Sequence, residues 1–336
     1  MKKFLVLLLI TSTSLYGFGR RIELCFSDPE KIRKKSSSPE DRLIVMINSC
    51  TKSFKGAFYD ISSVKVAEAL VKARNRGIAV RLVTDSDTLS GKAIEKILKG
   101  GIPVVEDNRP SLMHNKFAVI DGYFVYTGST NATLNGSYKN NNNSLIISSP
   151  ELAEIYDSEF EEMFSHGIFG NRRETGAFTA LTKKYHVRID DADINVYFSP
   201  EDNVERIINS RLKKAKKSIR FLAFSFTSDS LGETMIEKFK KGLTVEGVFE
   251  RRGANSEYSE YTKMMIEGLP VFKDRNRHIM HHKVIIIDDY RVITGSFNFS
   301  KNADRNNDEN ILIIDSEEIA AEYTEEFRRI FRRAKR

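Results

Sequence analysis

Two clusters of side chains in this 336-residue chain carry groups that handle anions. The first comprises His114, Lys116, Asp121, Gly128, Ser129 and Asn131. The second comprises His281, Lys283, Asp288, Gly295, Ser296 and Asn298 at the same internal spacing. Each supplies an imidazole that can attack or move a proton. Each also has an ammonium, a hydroxyl and an amide that can donate hydrogen bonds to non-bridging phosphate oxygens. A single His near a Lys is more often structural, but a doubled motif with all positions kept has a stronger claim to chemistry.

The elements that must position these groups are themselves repeated. Ser53 to Ser63 (SFKGAFYDISS) lies over Ser218 to Ser228 (SIRFLAFSFTS) at an offset of 165, and Met113–Lys116 lies over Met280–Lys283 at an offset of 167. Phe26-Ser27 is echoed by Phe198-Ser199. Each copy alternates helical and strand patterns, which predicts an α/β fold with helices covering a mixed sheet. Ser38-Pro39-Glu40 reads as a helix start. Gly77 and Gly242 read as helix stops. Asp121-Gly122 and Asp288-Asp289 read as hairpin turns between closely spaced strands. If His and Lys lie on a strand, their i, i+2 spacing puts them on one face. A final amphipathic helix closes each copy, over Pro150 to Phe164 and Ser316 to Phe331.

The motifs His114-x-Lys116-x4-Asp121-x6-Gly128-Ser129-x-Asn131 and His281-x-Lys283-x4-Asp288-x6-Gly295-Ser296-x-Asn298 resemble the paired HKD motifs of the phospholipase D superfamily. The resemblance covers nearly everything from Arg20 to Arg336. It implies two tandem α/β repeats about a pseudo-twofold axis, both motifs in one cleft, and metal-independent phosphodiester cleavage through a phosphohistidine. His114 and His281 are then the catalytic pair. Lys116, Lys283, Ser129, Asn131, Ser296 and Asn298 bind substrate, while Asp121 and Asp288 hold the motif in shape. Family members also carry an acidic residue near Glu309 that hydrogen-bonds a motif histidine. The expectation is that Glu309 holds His281 and makes it the more readily protonated acid. Its counterpart Asn142 is expected to orient His114, the nucleophile, with Asp107 as an alternative carboxylate for that role.

Composition bounds the rest. With 40% hydrophobic and 29% charged residues the chain is an ordinary globular protein. A net charge of +7 favours an anionic partner, although it can also serve solubility. Lys2, Lys3 and the apolar run Phe4–Ile10 read as a secretory leader over residues 1–17, too short to span a bilayer, so an exported, periplasmic or secreted protein is expected. The remaining divisions are 20–164 for the first repeat, 165–189 for a linker and 190–336 for the second repeat. Cys25 and Cys50 allow one disulfide or two buried thiols. No Cys/His or carboxylate spacing marks a metal site, and no cofactor is expected.

For the substrate, the near-minimal repeats and basic runs (Lys213–Arg220, Arg251-Arg252, Arg275 and Arg277, Arg328–Arg336) favour a nuclease. A phospholipase acting on lipid headgroups is close behind, with peripheral membrane contact. A phosphatidyl-transferring synthase ranks third and a non-catalytic binding module last. A monomer with an internal pseudo-dimer is expected.

Overall fold

The computed structural model describes residues 20–27, 29, 38–170 and 185–336. The expected leader over residues 1–17 and Gly176 of the expected linker lie outside the described residues. By internal contacts the chain forms two compact units. The first holds the chain up to Arg109, then Lys116–Tyr138 and Asn143–Ile168; the second holds Pro110–Asn115, Lys139–Asn142 and Phe169–Arg336. Two short segments of the first repeat thus belong to the second unit, a division that follows packing and not sequence order.

In the first unit, β1 (Ile22–Phe26), α1 (Pro39–Ser49), β2 (Ser53–Phe58), α2 (Val64–Asn75), β3 (Ala79–Thr84), α3 (Lys92–Lys99) and β4 (Val104–Glu106) are followed by β5 (Lys116–Ile120), β6 (Phe124–Gly128), α4 (Leu134–Tyr138), β7 (Asn143–Ser148) and α5 (Pro150–His166). The strand order is β1-β7-β6-β5-β2-β3-β4, with β2, β3 and β4 parallel and the other pairings antiparallel. Ser38, Ser63 and Ser149 accept from the first turns of α1, α2 and α5. Proline at the first helical position of α1 and α5 loses no needed donor.

Leu43, Val66 and Ile94 of α1, α2 and α3 bury one sheet face with Phe54, Phe58, Ile120 and Tyr126. On α5, Tyr156 meets Phe117 edge-on at 5.0 Å. Phe117 and Ile120 alternate in side, so both faces of the sheet are covered. Each such aromatic or aliphatic side chain contributes about 1.5–3 kcal/mol by burial.

The second unit repeats the plan. Its elements are β8 (His186–Ile189), β9 (Ala192–Ser199), α6 (Val204–Lys213), β10 (Ser218–Ala223), α7 (Asp229–Lys240), β11 (Thr244–Phe249), α8 (Glu260–Ile266), β12 (Val271–Lys273), β13 (Lys283–Ile287), β14 (Arg291–Gly295), α9 (Lys301–Arg305), β15 (Glu309–Asp315) and α10 (Glu317–Lys335). Read from one edge the order is β8-β9-β15-β14-β13-β10-β11-β12, the first sheet's order with β8 added. The register is kept as well: Ser53 pairs with Ala79 as Ser218 pairs with Thr244. The expected linker is therefore not all connection. Its last residues form β8, because Val187 and Ile189 alternate inward against β9.

The turns at Asp121-Gly122 and Asp288-Asp289 all take positive φ, between 56° and 64°, as a mirror-image hairpin turn requires. Cys25 and Cys50 are both buried thiols, with no disulfide between them. Cys50 donates its thiol to Asp121 and to the Ser53 carbonyl, at 3.2 and 3.1 Å. Burial is the main cause raising both thiols to about 12, so neither serves as a ready nucleophile.

Gly128 and Gly295 end β6 and β14 at φ 141° and 149°, where an added Cβ would lie 2.3 and 2.2 Å from the carbonyl oxygens of Asn143 and Asn310. Replacing either by Ala should cost about 2–4 kcal/mol through this collision and the backbone strain. Gly122→Ala, with φ 64° and open space, should cost about 1 kcal/mol. Urea midpoints compare them; equal losses at Gly122 and Gly128 would refute the close approach.

Candidate active site

The motif histidines stand just before β5 and β13, not on them. Met113 bridges Asp308 and Met280 bridges Asn141, and these four residues all lie in the second unit. The backbone N–H of His114 donates to the Asp308 carbonyl at 2.9 Å, and that of His281 to the Asn141 carbonyl at 2.8 Å. Each histidine is thus laid against a segment belonging to the other repeat in sequence.

The ring contacts follow the same crossing. His114 Nδ1 meets Glu309 Oε2 at 2.7 Å, and His281 Nδ1 meets Asn142 Oδ1 at 2.9 Å. The sequence expectation had each partner on the histidine of its own repeat; the structure exchanges them. The cause is register: Glu309 adjoins Asp308, which bridges Met113, and Asn142 adjoins Asn141, which bridges Met280. Asp107 is not the carboxylate for His114; its Oδ1 accepts from the Ser86 N–H at 2.9 Å. Glu309 is fully buried, and its other oxygen accepts from Asn307 at 3.4 Å. A carboxylate can only accept, so His114 carries a proton on Nδ1, and in its neutral form Nε2 holds the lone pair. Asn142 Oδ1 sets the same tautomer at His281 without a charge.

Lys283 opens β13, buried, with Nζ donating to the His281 carbonyl at 3.0 Å and lying 4.7 Å from the Phe224 ring centre. The Phe224 ring lies 4.6 Å from that of His281. In the first unit Lys116 opens β5, equally buried, 5.4 Å from the Tyr59 ring centre. Burial pushes nearby Asp60 up, with Ser62 and the Lys116 ammonium opposing. Tyr59 and Phe224 were missed from sequence, although they are equivalent positions of the repeat and both were visible in its alignment.

The serines bond to the neighbouring strand, a contact that the sequence did not announce. Ser129 Oγ donates to Asn143 Oδ1 at 3.0 Å and accepts from the Asn143 N–H at 3.1 Å. Ser296 Oγ accepts from the Asn310 N–H at 2.9 Å. Both are fully buried and clasp the start of the neighbouring strand. Asn131 Oδ1 and Asn298 Oδ1 are buried and have no hydrogen-bond partner among the described residues, in both repeats alike.

Asp121 and Asp288 lie at the far ends of β5 and β13, about 17 Å of strand away from the motif lysines. Asp121 accepts from the backbone N–H groups of Thr51, Lys52 and Ser53, and Asp288 from those of Lys216, Lys217 and Ser218, at 2.7–2.9 Å in each closest case. Burial alone would raise Asp288, but these three donors hold it below its ordinary value. Among the described residues no group of three or more His, Cys, Asp or Glu could hold a metal ion.

With this geometry in view, the chain falls among two-domain α/β phosphodiesterases. Residues 43–164 and 208–331 each match the family described as "Cardiolipin synthase, PLD-like domain", and the protein belongs to this phospholipase D-like family. It is 31% identical to the phospholipase D of Rickettsia conorii over 149 residues, covering 44% of this chain and 74% of that protein. It is 32% identical to the mitochondrial cardiolipin hydrolase of Xenopus tropicalis over 131 residues, covering 38% of this chain and 62% of that protein. The phosphatidylserine synthase of Haemophilus influenzae Rd KW20 has the same fold, with TM-score 0.72 over 96% of this chain and 90% of that one at 14% identity.

Beside the motif, His282 is wholly buried and donates through Nε2 to Glu326 of α10 at 3.1 Å, while Arg329 binds the same carboxylate through two nitrogens at 2.7 and 2.8 Å. Burial opposes ionisation of Glu326, but His282 and Arg329 outweigh it and bring it from 4.5 to about 2. Burial also lowers His282. Both shifts mean that the unfolded chain binds more protons in acid, so stability present above about pH 6.5 is lost progressively as pH falls toward about 2. Glu326→Gln should cost about 2–4 kcal/mol at pH 7, by leaving Arg329 and His282 without their anion. Urea titrations of both proteins between neutral and acid pH should converge as the pH falls; a constant gap would refute the linkage.

Proposed function

We propose that this protein hydrolyses phosphodiesters through a phosphohistidine on His114, with single-stranded nucleic acid as substrate. The observation that carries the reaction is the Glu309–His114 contact at 2.7 Å beside a neutral Asn142–His281 contact at 2.9 Å. Attack of the His114 Nε2 lone pair on phosphorus makes the ring cationic, and Glu309 stabilises that charge through Nδ1–H, as the aspartate of a catalytic triad does. The His281 imidazolium, with no carboxylate behind it, gives its Nε2 proton to the leaving oxygen as the P–O bond breaks. Neutral His281 then takes a proton from water, whose oxygen displaces His114 and frees the phosphomonoester.

This assigns the same roles as the sequence reading on opposite electrostatic grounds. Lys283 and Asn298 are proposed to hold non-bridging oxygens, with Lys116 and Asn131 as their counterparts in the first repeat. A buried ammonium is costly in water's absence and is best matched by an anion. The unpartnered amide end of Asn298 becomes a donor when the amide turns over, since its oxygen and nitrogen are nearly isosteric.

The nucleic-acid reading rests on the +7 charge and the basic runs. A second reading, a lipid phosphodiester, is favoured by the relatives called phospholipase D and cardiolipin hydrolase. Lys2, Lys3 and the apolar run Phe4–Ile10 support an exported setting for either reading.

His114→Ala and His281→Ala should each abolish turnover, and His281→Asn should accumulate a phosphorylated protein detectable by mass spectrometry at His114. Glu309→Gln should lower kcat by about 10²–10⁴, whereas Asn142→Asp should alter the pH profile more than the fold. Single-stranded DNA, RNA and cardiolipin vesicles assayed in EDTA decide the substrate. A near-normal rate in either alanine variant would sink the mechanism, as would loss of activity in chelator.

A further inference from the structure

At the end of the second sheet where β13 begins, Ala223 pairs with both Phe249 and Lys283, and Phe249 pairs with Lys273. The loops leaving β11 and β12 therefore open on the edge from which His281 and His282 lead into β13. These loops expose Arg251, Arg252, Arg275 and Arg277, and none of the four guanidinium groups is in an ion pair among the described residues. Tyr258, on the first loop, is 70% exposed and is the sole large exposed hydrophobic side chain of the two loops.

The frame beneath is buried and fully specified. Asp274 accepts from the backbone N–H groups of Arg251 and Asn276 at 2.8 and 2.7 Å, and Glu250 accepts from those of Arg252 and Gly253 at 2.8 Å each. Asn276 donates to Asn141 Oδ1 at 2.7 Å and to the Lys139 carbonyl at 3.1 Å, adjoining the Asn142 that holds His281. The arginines and His281 are therefore mounted on one hydrogen-bonded frame.

The first repeat builds an equivalent turn with different charges and with Asn108 at φ 47°, a conformation that Arg275 does not share. Asp107 accepts from the Ser86 N–H and Asp85 from the Asp87 N–H, both at 2.9 Å. Where the second repeat has Arg251, Arg252, Arg275 and Arg277, the first has Ser86, Asp87, Asn108 and Pro110. The fold needs the frame but not the four cations.

We propose that this arginine rim, with Tyr258, is a subsite for the nucleotides on the leaving-group side of the scissile phosphate, so that single-stranded nucleic acid binds in one orientation. The inference rests on the nucleic-acid reading above and on His281 as the acid that protonates the departing fragment. Guanidinium groups grip the flanking phosphates, and the Tyr258 ring offers a face on which an unpaired base stacks. A lipid-docking rim would instead present several apolar side chains to the interface.

The first repeat supplies replacements found at the equivalent positions of its own turn: Arg251→Ser, Arg252→Asp and Arg275→Asn combined. On a single strand of about 20 nucleotides at about 50 mM salt, the triple variant should lose about 10- to 100-fold in kcat/KM and show a shallower salt dependence, since each phosphate contact contributes about 0.7 to the log–log slope. Tyr258→Ala should lose about 5- to 10-fold on the same strand. Both should hydrolyse bis(p-nitrophenyl) phosphate, which has no flanking phosphate, within about twofold of wild type, which also reports an intact site. Unchanged cleavage of the strand would overturn the subsite. So would equal losses on both substrates, which would put these residues in the reaction itself. A wild-type protein that hydrolyses bis(p-nitrophenyl) phosphate and anionic vesicles but no oligonucleotide would instead overturn the nucleic-acid reading.

Discussion

Glu309 behind His114 is the contact on which the rest depends, because it makes two otherwise equivalent imidazoles unequal. A duplicated chain begins with two identical motifs, and identical environments cannot favour one ring as nucleophile and the other as acid. A buried carboxylate 2.7 Å from one Nδ1 and an amide 2.9 Å from the other break that tie. Each nevertheless fixes the same tautomer, so both rings keep Nε2 for chemistry. One substitution between copies, Asn142 against Glu309, makes their surroundings differ in charge and, on the proposed mechanism, separates their roles.

The exchange of partners also ties assembly to function. Met113 bridging Asp308 and Met280 bridging Asn141 place the segments Pro110–Asn115 and Lys139–Asn142 in the second compact unit. The backbone bonds that register these segments are the ones that deliver Glu309 and Asn142 to the rings. Local loosening there would remove the tautomer control before any ring was displaced. Asp121 and Asp288, at the other ends of their strands, pin the start of β2 and β10 through backbone N–H groups and so act on the motif only through the sheet.

How far the sequence could be read follows from the range of each interaction. Hairpin turns and helix caps depend on neighbours within a few residues, and Ser38-Pro39, Gly77 and Asp121-Gly122 announced them. The duplication itself supplied the catalytic candidates. The His114–Glu309 pairing spans 195 residues and depends on which segment bridges which, a choice that periodicity does not encode. The strand contacts of Ser129 and Ser296 were hidden for another reason: a hydroxyl beside a motif can face a substrate or a neighbouring strand, and composition does not record its direction. β8 was hidden because four alternating residues following a glycine-containing stretch resemble the end of a linker.

Divergence between the copies carries more information than their agreement. Positions kept in both, such as Gly128 and Gly295 under a carbonyl, are those the backbone demands. The turn built by Asp107 and Asp274 is likewise kept, and its hydrogen bonds explain why. The four arginines of the second repeat answer to no such demand, since Ser86, Asp87, Asn108 and Pro110 occupy the same positions in the first. Four exposed cations close together repel one another, and a fold that does not require them gains nothing from their proximity in water. On the proposed function their cost is offset when a polyanion lies across them, and the substitution of Glu309 for Asn142 has the same logic one layer deeper: each departure from symmetry adds a charge where the proposed reaction, and not the sheet, can use it.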